Sequence, residues 1–501
     1  MRRHAFWIGS VLVLAGVFLH VPSYLMSAEH NFRMAHMDMG LAMSLGMVLL
    51  VVGTGIAVWG LLPPRAVRTT TGLRFGALDE APLSRAHKLL VLVLFVALVI
   101  DTMKPASLGF TVPGMAAEYG LTKPQVAMFP FVALCGTVAG SILWGYLGDV
   151  IGRRATILLS ALMYVGTAVC GFMPSFGWNM VMCFAMGLSA GGLLPIVYAL
   201  MSETMPAKHR GWLLVLQSGL GAAAGYLVAS GAATLLVPLF SWRSLWLLGL
   251  PTGLLLIVLS RWIPESPRFL IANGRDEEAA VVMARYGVRA VPADAPVALE
   301  ENGSRVRTLL GDAYRLRTVG ILSYGLGWGI INWGFVTFLP IFLEESGVKA
   351  SRMLFIASLL ALPATAVAAW LYARWSSRGS MLVYCAGSAA SLVLFAVVGA
   401  QSGWLFIALV SGLLACFTGM VAMLSPYAAE VYPTSLRATG SGFAAASTKA
   451  GGLLGPVLVT TAPALESVAL ICAAPAAIAA FVLWRTGMET TGKPLVEASV
   501  G

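Results

Sequence analysis

The sequence predicts an all-α membrane protein in which many helices cross the bilayer. Two observations carry this prediction: 58% of the 501 residues are hydrophobic and only 11% are charged, and apolar runs of about 20 residues recur along most of the chain. A run of that length, at about 1.5 Å per residue, spans a hydrocarbon core of about 30 Å. No soluble globular protein needs so large an apolar fraction to bury its core. Most of the chain is therefore expected to lie in lipid.

The charged residues have the distribution that is typical of a membrane protein. The formal charge is +10, but the basic residues occupy short loops between apolar runs, which argues against a nucleic-acid partner and for a lipid bilayer. Arg65, Arg74, Arg153 and Arg374 lie in such loops and mark the expected cytoplasmic side of a multi-pass protein of the cell inner membrane. The six cysteines show no paired spacing, so neither a disulfide frame nor a metal or other cofactor is expected.

The apolar runs divide the chain into five parts. Residues 1–87 carry two leading helices and a basic linker, residues 88–263 a first bundle of six helices, and residues 317–486 a second bundle of six. The polar residues 264–316 are expected to form a cytoplasmic linker, and residues 487–501 a cytoplasmic tail. The predicted fold is therefore two six-helix bundles with two additional N-terminal transmembrane helices.

An internal repeat supports the division into two bundles. Three residues recur at an offset of about 227, since Glu203, Pro206 and Arg210 return as Glu430, Pro433 and Arg437. The same offset maps Gly152 onto Gly379 and Asp149 onto Ser376. Many transporters build two gates around one central site from duplicated halves. The repeat therefore predicts transport by alternating access.

The loop after the second bundle helix carries a family resemblance. Residues 145–154 read GYLGDVIGRR and resemble the major facilitator loop signature GxLxDRxGRR. Glycines permit a tight turn there, and an aspartate near a helix end can join arginines in a charge network. The resemblance implies a gate at the cytoplasmic end of the bundle, formed by Gly145, Asp149, Gly152, Arg153 and Arg154.

Two further segments resemble the sugar porters of the same superfamily. Residues 264–270 read PESPRFL, like the segment that ends their sixth helix, and residues 430–440 read EVYPTSLRATG, like the segment after their tenth. In those relatives such charges latch the cytoplasmic side. The resemblance thus implies three gate pairs, namely Glu203 with Arg210, Glu265 with Arg268 and Glu430 with Arg437.

Ionisable residues inside an apolar helix are costly and are functional candidates by default. Asp101 and Lys104 lie three positions apart in the first bundle helix and so share one face. Residues 101–119 resemble the first helix of aromatic-acid/proton symporters, in which two aspartates stand three apart; Asp101 matches the first, and Lys104 replaces the second. The resemblance implies that Asp101 carries the coupled proton, and the replacement predicts that Lys104 attracts an anionic substrate. The alternative is a static ion pair between the two.

Further polar residues are candidate substrate contacts. Lys449 lies in the eleventh bundle helix, at a position that is often arginine in relatives, and Gln217 in the fifth matches a substrate-contacting glutamine of sugar porters. The seventh helix offers an aromatic and amide face made of Tyr324, Trp328, Asn332 and Trp333. Aromatic walls with a few polar anchors are typical of small-molecule sites.

These features predict a secondary active transporter rather than an enzyme, since no nucleophile with a base and no metal-ligand cluster stands at membrane depth. We expect a monomer that takes up a small organic anion, an aromatic or aliphatic carboxylate, together with protons. One alternative is a carrier of a neutral sugar-like solute or of an organic cation, which Asp101 would anchor. A second is a non-transporting sensor on a transporter scaffold, which the extra helices favour and the lack of a sizeable soluble domain disfavours.

Overall fold

The computed structural model describes residues 3–62, 73–74, 82–288, 291–292, 305–345, 347, 349–399, 404–432, 434–462 and 464–491. Within these ranges, twelve helices are long and apolar enough to cross a membrane, and these include the two leading helices. The shorter pair Phe176–Ala190 and Leu193–Thr204, and the less apolar Thr434–Thr461, are not among the twelve. The strands found there, β1 (Leu73–Arg74) and β2 (Val291–Pro292), pair antiparallel and join the two polar linkers. The predicted all-α membrane class is confirmed.

The first bundle consists of core helices 1 to 6. Their bounds are, in order, Arg85–Tyr119; Lys123–Ile151; Arg153–Gly166 with the 3-10 turn Thr167–Phe172; Phe176–Ala190 with Leu193–Thr204; Ala207–Phe240; and Ser244–Leu247 with Gly249–Leu259 and Ser260–Trp262. Short helices follow in the linker, at Pro267–Ala272, Asp276–Arg285 and Arg305–Leu309.

The second bundle consists of core helices 7 to 12. Their bounds are, in order, Arg315–Ile330 with the π-helical turn Ile331–Val336 and Leu339–Glu345; Ala350–Arg374; Ser377–Val398; Trp404–Val431; Thr434–Thr461; and Leu465–Thr486. We call the end of the bundles that carries Gly152 the cytoplasmic end, following the charges of its loops, and the opposite end the far end.

The two leading helices form a hairpin that packs on the first bundle. Their bounds are Arg3–Phe18, continued by Val21–Met26 and the 3-10 turn Ser27–His30, and Leu41–Leu61. Glycines let the two backbones meet, since a Cβ added to Gly53 would lie 2.8 Å from the carbonyl oxygen of Gly9. Both helices contact core helix 3, so the hairpin belongs structurally to the first half.

Core helix 4 is broken at Gly191 and Gly192. Trp144 of core helix 2 fills the break, because its Nε1 donates to the carbonyl oxygen of Leu188 at 2.6 Å and a Cβ on Gly192 would overlap its ring. Ser141 Oγ donates to the carbonyl oxygen of Gly191 at 2.7 Å. Irregular backbone at membrane depth is tolerated only where protein groups satisfy it in this way.

Small residues bring the two bundles together along the seam between them. Gly109 of core helix 1 approaches core helix 7 so closely that an added Cβ would lie 2.7 Å from the carbonyl oxygen of Thr337. The hydroxyl oxygens of Ser230 and Ser358 lie 3.3 Å apart and link core helices 5 and 8. Small side chains permit such approaches between membrane helices, and they position the polar residues of the seam.

Candidate functional site

Asp101 lies in the middle of core helix 1 and is only 4% exposed. Tyr164 of core helix 3 donates its phenolic hydrogen to the Asp101 carboxylate, and the same hydroxyl lies 3.5 Å from the Asp101 carbonyl oxygen. That carbonyl lacks a helical donor because Pro105, four residues later, has no N–H. A neutral hydroxyl, and not a cation of its own helix, therefore holds the carboxylate.

Lys104 is 3% exposed and points to a different part of core helix 3. Its Nζ donates to the carbonyl oxygen of Tyr164 at 3.2 Å and to Thr167 Oγ1. Gly249 of core helix 6 makes room for it, since an added Cβ there would lie 2.3 Å from Nζ. In the described part of the chain Asp101 and Lys104 form no ion pair, so the alternative of a static pair between them is wrong. The contacts of Lys104 lie inside the first bundle.

Lys449 of core helix 11 crosses the seam between the bundles. Its Nζ donates to Ser141 Oγ of core helix 2, the hydroxyl that also binds the break in core helix 4. A cation of the second bundle thus reaches into the first bundle, whereas the sequence had pointed first to Lys104.

Gln217 of core helix 5 is 3% exposed, and neither its Oε1 nor its Nε2 has a hydrogen-bond partner within the described residues. A buried polar group without a partner costs about 1 to 3 kcal/mol. Gln217 is therefore a group that a polar ligand or a water would satisfy.

Two aromatic candidates on core helix 7 lie within the second bundle. Tyr324 is fully buried, and its hydroxyl has no partner in the parts of the chain that are described. Trp328 donates its Nε1 hydrogen to the carbonyl oxygen of Phe417 at 3.0 Å and stacks on that ring with centroids 6.0 Å apart. Trp328 is therefore fixed against core helix 10.

Asn332 and Trp333 lie in the π-helical turn of core helix 7. The carbonyl oxygen of Asn332 accepts from the N–H of Thr337 at 2.9 Å, the five-residue spacing of a π-helix, and from its Oγ1 at 2.8 Å. Trp333 packs on core helix 11, where a Cβ added to Gly452 would lie 2.8 Å from its ring. Such turns are frequent at functional sites, which supports this stretch as part of the substrate path.

The signature loop builds a carboxylate site at the start of core helix 3. Gly152 has φ +99°, and an added Cβ would lie 2.4 Å from Glu265 Oε2, so only glycine fits. Glu265 Oε1 accepts from the backbone N–H groups of Arg153 at 2.6 Å and Arg154 at 3.3 Å. Donors at a helix start favour a negative charge, so Glu265 fastens the end of core helix 6 to core helix 3.

The remaining rim residues of the first half make varied contacts. Glu203 forms an ion pair with Arg153 at 3.6 Å, and Arg210 donates to the carbonyl oxygen of Met205 at 3.1 Å. Gly145 is exposed and has open space around it. The side chains of three expected gate residues lie outside the described set: Asp149, Arg268 and Arg437.

The second half carries a carboxylate that the sequence analysis missed. Glu489, three residues beyond core helix 12, accepts from the backbone N–H of Ser377 at 2.8 Å and from the Ser376 hydroxyl. Glu430 accepts from Tyr372 OH at 2.7 Å and from Thr490 Oγ1 at 2.6 Å. The tail therefore folds back onto the start of core helix 9 and the end of core helix 10.

Glu489 is the structural counterpart of Glu265, and this corrects the repeat. Core helix 3 begins at Arg153 and core helix 9 at Ser377, an offset of about 224 that also relates Glu265 to Glu489. The offset of about 227 therefore holds for Glu203 and Glu430 but not for the signature loop. The sequence contains a signal for Glu489: when the two halves are aligned on the starts of core helices 3 and 9, the glutamate that follows the first bundle's last helix matches Glu489 after the second bundle's last helix.

The two counterparts differ in electrostatics. Burial raises the pKa of Glu265, although backbone N–H groups, that of Ser266 first, oppose the rise. Burial also acts to raise the pKa of Glu489, but hydrogen bonds from Ser376 and Ser377 outweigh it and lower the pKa to about 2. At neutral pH the ionised Glu489 thus stabilises its loop, whereas burial opposes the ionisation of Glu265.

Known proteins resemble the chain along most of its length. It is 28% identical to the niacin transporter NiaP of Acinetobacter baylyi, over 76% of this chain and 89% of that protein. It is 29% identical to the 4-hydroxybenzoate transporter PcaK of the same organism, over 81% of this chain and 93% of that protein. The alignments span nearly all of each relative.

A solved structure and a family profile agree with these relatives. The xylose transporter XylE of E. coli, in a partially occluded inward-open conformation, superposes with a TM-score of 0.64 at 18% identity, over 82% of this chain and all of that one, which shows a common fold. The profile described as Major Facilitator Superfamily matches residues 90–456, leaving the leading hairpin outside. The chain is a transporter of the major facilitator superfamily.

Proposed function

We propose that the protein takes up a small organic anion together with protons across the cell inner membrane, as a monomer and by alternating access. One observation carries the proposal: a carboxylate of the first half, Asp101, is buried, and a cation of the second half, Lys449, reaches across the seam to Ser141 of core helix 2. Opposite charges held by two moving halves are suited to couple proton binding to the movement of those halves.

The coupling follows from competition for one cation. In a low-dielectric site the Lys449 ammonium needs a negative partner, which is the ionised Asp101 when the site is empty. A substrate carboxylate that binds Lys449 takes over that role. Asp101 then loses its cationic neighbour and favours its protonated form, so anion binding and proton binding reinforce each other. Both charges are neutralised before the halves change position.

The class of substrate is proposed from the relatives and the site together. Niacin and 4-hydroxybenzoate, named for the two transporters above, are aromatic rings that carry one carboxylate. Lys449 offers one cation for such a group, Trp333 packs against the same helix at Gly452, and Gln217 of core helix 5 is a buried amide without a partner in the described residues. A planar monocarboxylate fits this combination of one charge and apolar walls.

The proposal is tested by uptake into proteoliposomes of the purified full chain. Labelled nicotinate is the probe, and nicotinamide, which has the same ring without the charge, is the matched neutral control. We expect an inward proton gradient to concentrate nicotinate and not nicotinamide. The Asp101→Asn variant should lose this accumulation but retain exchange of nicotinate, since exchange needs no net proton movement. Accumulation by a folded Asp101→Asn variant would refute the proton-carrier role.

A neutral sugar-like solute is the second candidate, favoured by Gln217. Its amide presents a donor and an acceptor without partners in the described residues, as a hydroxyl-rich ligand requires. Thermal-shift measurements with nicotinate, 4-hydroxybenzoate and xylose separate the candidates, because a ligand selective for the folded state raises Tm. Stabilisation by xylose alone would favour this second function over the first.

A further inference from the structure

The segment that joins the two leading helices lies on the far end of the first bundle. We call residues 31–39 the cap segment. The backbone N–H groups of Met34 and Ala35 donate to Glu118 Oε1, at 2.8 and 2.9 Å. The N–H of His36 donates to the carbonyl oxygen of Pro174, in the loop between core helices 3 and 4, at 3.0 Å. Every described hydrogen bond that the cap segment makes outside the leading hairpin ends on the first bundle.

Glu118 is the centre of this contact and is paired with a buried arginine. Arg243, at the turn between core helices 5 and 6, lies 2.6 Å from Glu118 Oε1, and both side chains are almost wholly buried. Trp242 Nε1 donates to Glu118 Oε2 at 2.9 Å. Arg243 also donates to the carbonyl oxygens of Gly171 and Met173, both at 3.0 Å. One ion pair thus ties core helices 1, 3, 5 and 6 together.

The cap segment completes the donor set of that ion pair. A buried ion pair is favourable only when further hydrogen bonds satisfy its remaining lone pairs. Oε1 of Glu118 accepts from Arg243 and from the N–H groups of Met34 and Ala35, and Oε2 accepts from Trp242. Two of the four described donors to this carboxylate therefore come from the hairpin. These donors belong to the backbone, and only proline removes them.

Aromatic contacts extend the same interface along the hairpin. The His20 ring stacks on Phe172 with centroids 5.8 Å apart. Tyr24 OH donates to the carbonyl oxygen of Phe240 at 2.6 Å, and Phe32 lies against the Phe240 ring at 6.0 Å. The hairpin therefore packs against both the end of core helix 3 and the end of core helix 5.

Backbone strain is concentrated at this interface. In the described ranges, the non-glycine residues with positive φ are Asn31, Phe32, His36 and Ser241, at 55° to 65°. Three lie in the cap segment, and the fourth follows Phe240, which the hairpin contacts. Strained backbone persists only where the surrounding contacts determine it. The cap segment is therefore held in one conformation by the surface beneath it.

We propose that the leading hairpin is a permanent clamp on the first half, anchored through Glu118, and that it moves with that half as one rigid body during transport. The cap segment is then neither a lid over the substrate path nor a hinge. The relative movement of the halves falls on the seam between core helices 1 and 7 and between core helices 5 and 8.

The anchor is tested by a thermal double-mutant cycle on the purified full chain. Ala35→Pro removes one N–H donor to Glu118 and should lower Tm by several degrees. Asp38→Pro is the matched control, because its N–H has no described hydrogen bond, and should lower Tm much less. In a Glu118→Ala background, which removes the acceptor oxygen, Ala35→Pro should have less than half its effect. Equal losses in both backgrounds would show that the cap segment does not act through Glu118.

The rigid-body claim is tested by a cross-link between His36→Cys and Pro174→Cys, whose backbones touch. Exchange of the labelled compound that the wild type transports, nicotinate or xylose, is measured before and after the two new cysteines are oxidised. Oxidised wild type is the control for the native cysteines. A clamp predicts rates that agree within about twofold. A lid predicts a drop of tenfold or more that a reductant reverses, and that result would overturn the proposal.

Discussion

Tyr164 donates its hydroxyl hydrogen to Asp101, although the two residues lie 63 positions apart. The same tyrosine accepts a hydrogen bond from Lys104 through its carbonyl oxygen and places its ring 5.4 Å from the ammonium. One residue of core helix 3 therefore separates the two charges of core helix 1. The Asp101 carboxylate is thus held by Tyr164 and not by Lys104.

The first prediction concerns that hydroxyl. Tyr164→Phe removes a donor to a buried carboxylate, and a hydrogen bond to a charged group contributes about 1.5 to 3 kcal/mol. We expect a lower Tm and a weaker accumulation of substrate for a given proton gradient, while exchange persists. The ratio of accumulated to external substrate, measured at several proton gradients, checks this outcome. An unchanged ratio would mean that Tyr164 has no part in proton coupling.

A second prediction separates the two buried lysines. Lys449→Met should weaken nicotinate binding at least tenfold, which corresponds to about 1.4 kcal/mol, and leave nicotinamide binding nearly unchanged. Lys104→Met should change both affinities by the same factor, because its contacts are Tyr164 and Thr167 within the first bundle. Calorimetric titration of both variants with both compounds distinguishes the roles. A selective loss of nicotinate binding in the Lys104 variant would reverse the assignment.

A third prediction concerns the tail. The pKa of Glu489 is lowered from 4.5 to about 2 in the folded protein, so its carboxylate stabilises the folded state fully above about pH 5. This contribution decreases as the pH falls from about 4.5 towards 2, where the folded form also takes up the proton. Glu489→Gln should therefore lower Tm at pH 7 and have a smaller effect at pH 3.

The control for the tail is Glu466→Gln, at the opposite end of core helix 12. This variant should show no comparable change between the two pH values, because Glu466 is not part of the tail contact. If the Glu489 variant lost the same stability at pH 3 as at pH 7, the docking of the tail would not depend on its ionised carboxylate.

A fourth prediction concerns topology. Gly287 lies in the linker between the bundles, is exposed and has φ +81°, so an inserted reporter should be tolerated there. Basic loops favour a cytoplasmic position for this linker and for both termini. A phosphatase that is active only outside the cytoplasm should be inactive when inserted at Gly287, and active when inserted at Asp38 of the cap segment. The reverse pattern would mean that the protein has the opposite orientation in the membrane.

The sequence predicts the membrane class and the buried charges well, because a charged residue in an apolar run is rare. It does not predict Tyr164 or Ser141, since hydroxyl and aromatic groups are common in membrane helices and these partners are far away in the chain. Spacing also places Asp101 and Lys104 on one helix face, yet a shared face did not bring their side chains together. The docking of the leading hairpin was missed for a related reason: apolar surfaces that meet protein and those that meet lipid have the same composition.

The π-helical turn at Ile331–Val336 widens core helix 7, because its backbone hydrogen bond spans five residues where an α-helix spans four. If this turn rewound to α geometry, everything beyond it would rotate by roughly 100°, the angle of one α-helical residue. Thr337, whose carbonyl oxygen contacts the backbone at Gly109, lies directly beyond the turn. A small change of winding in this one helix would therefore break or form the close contact at Gly109 without any bend in the neighbouring helices.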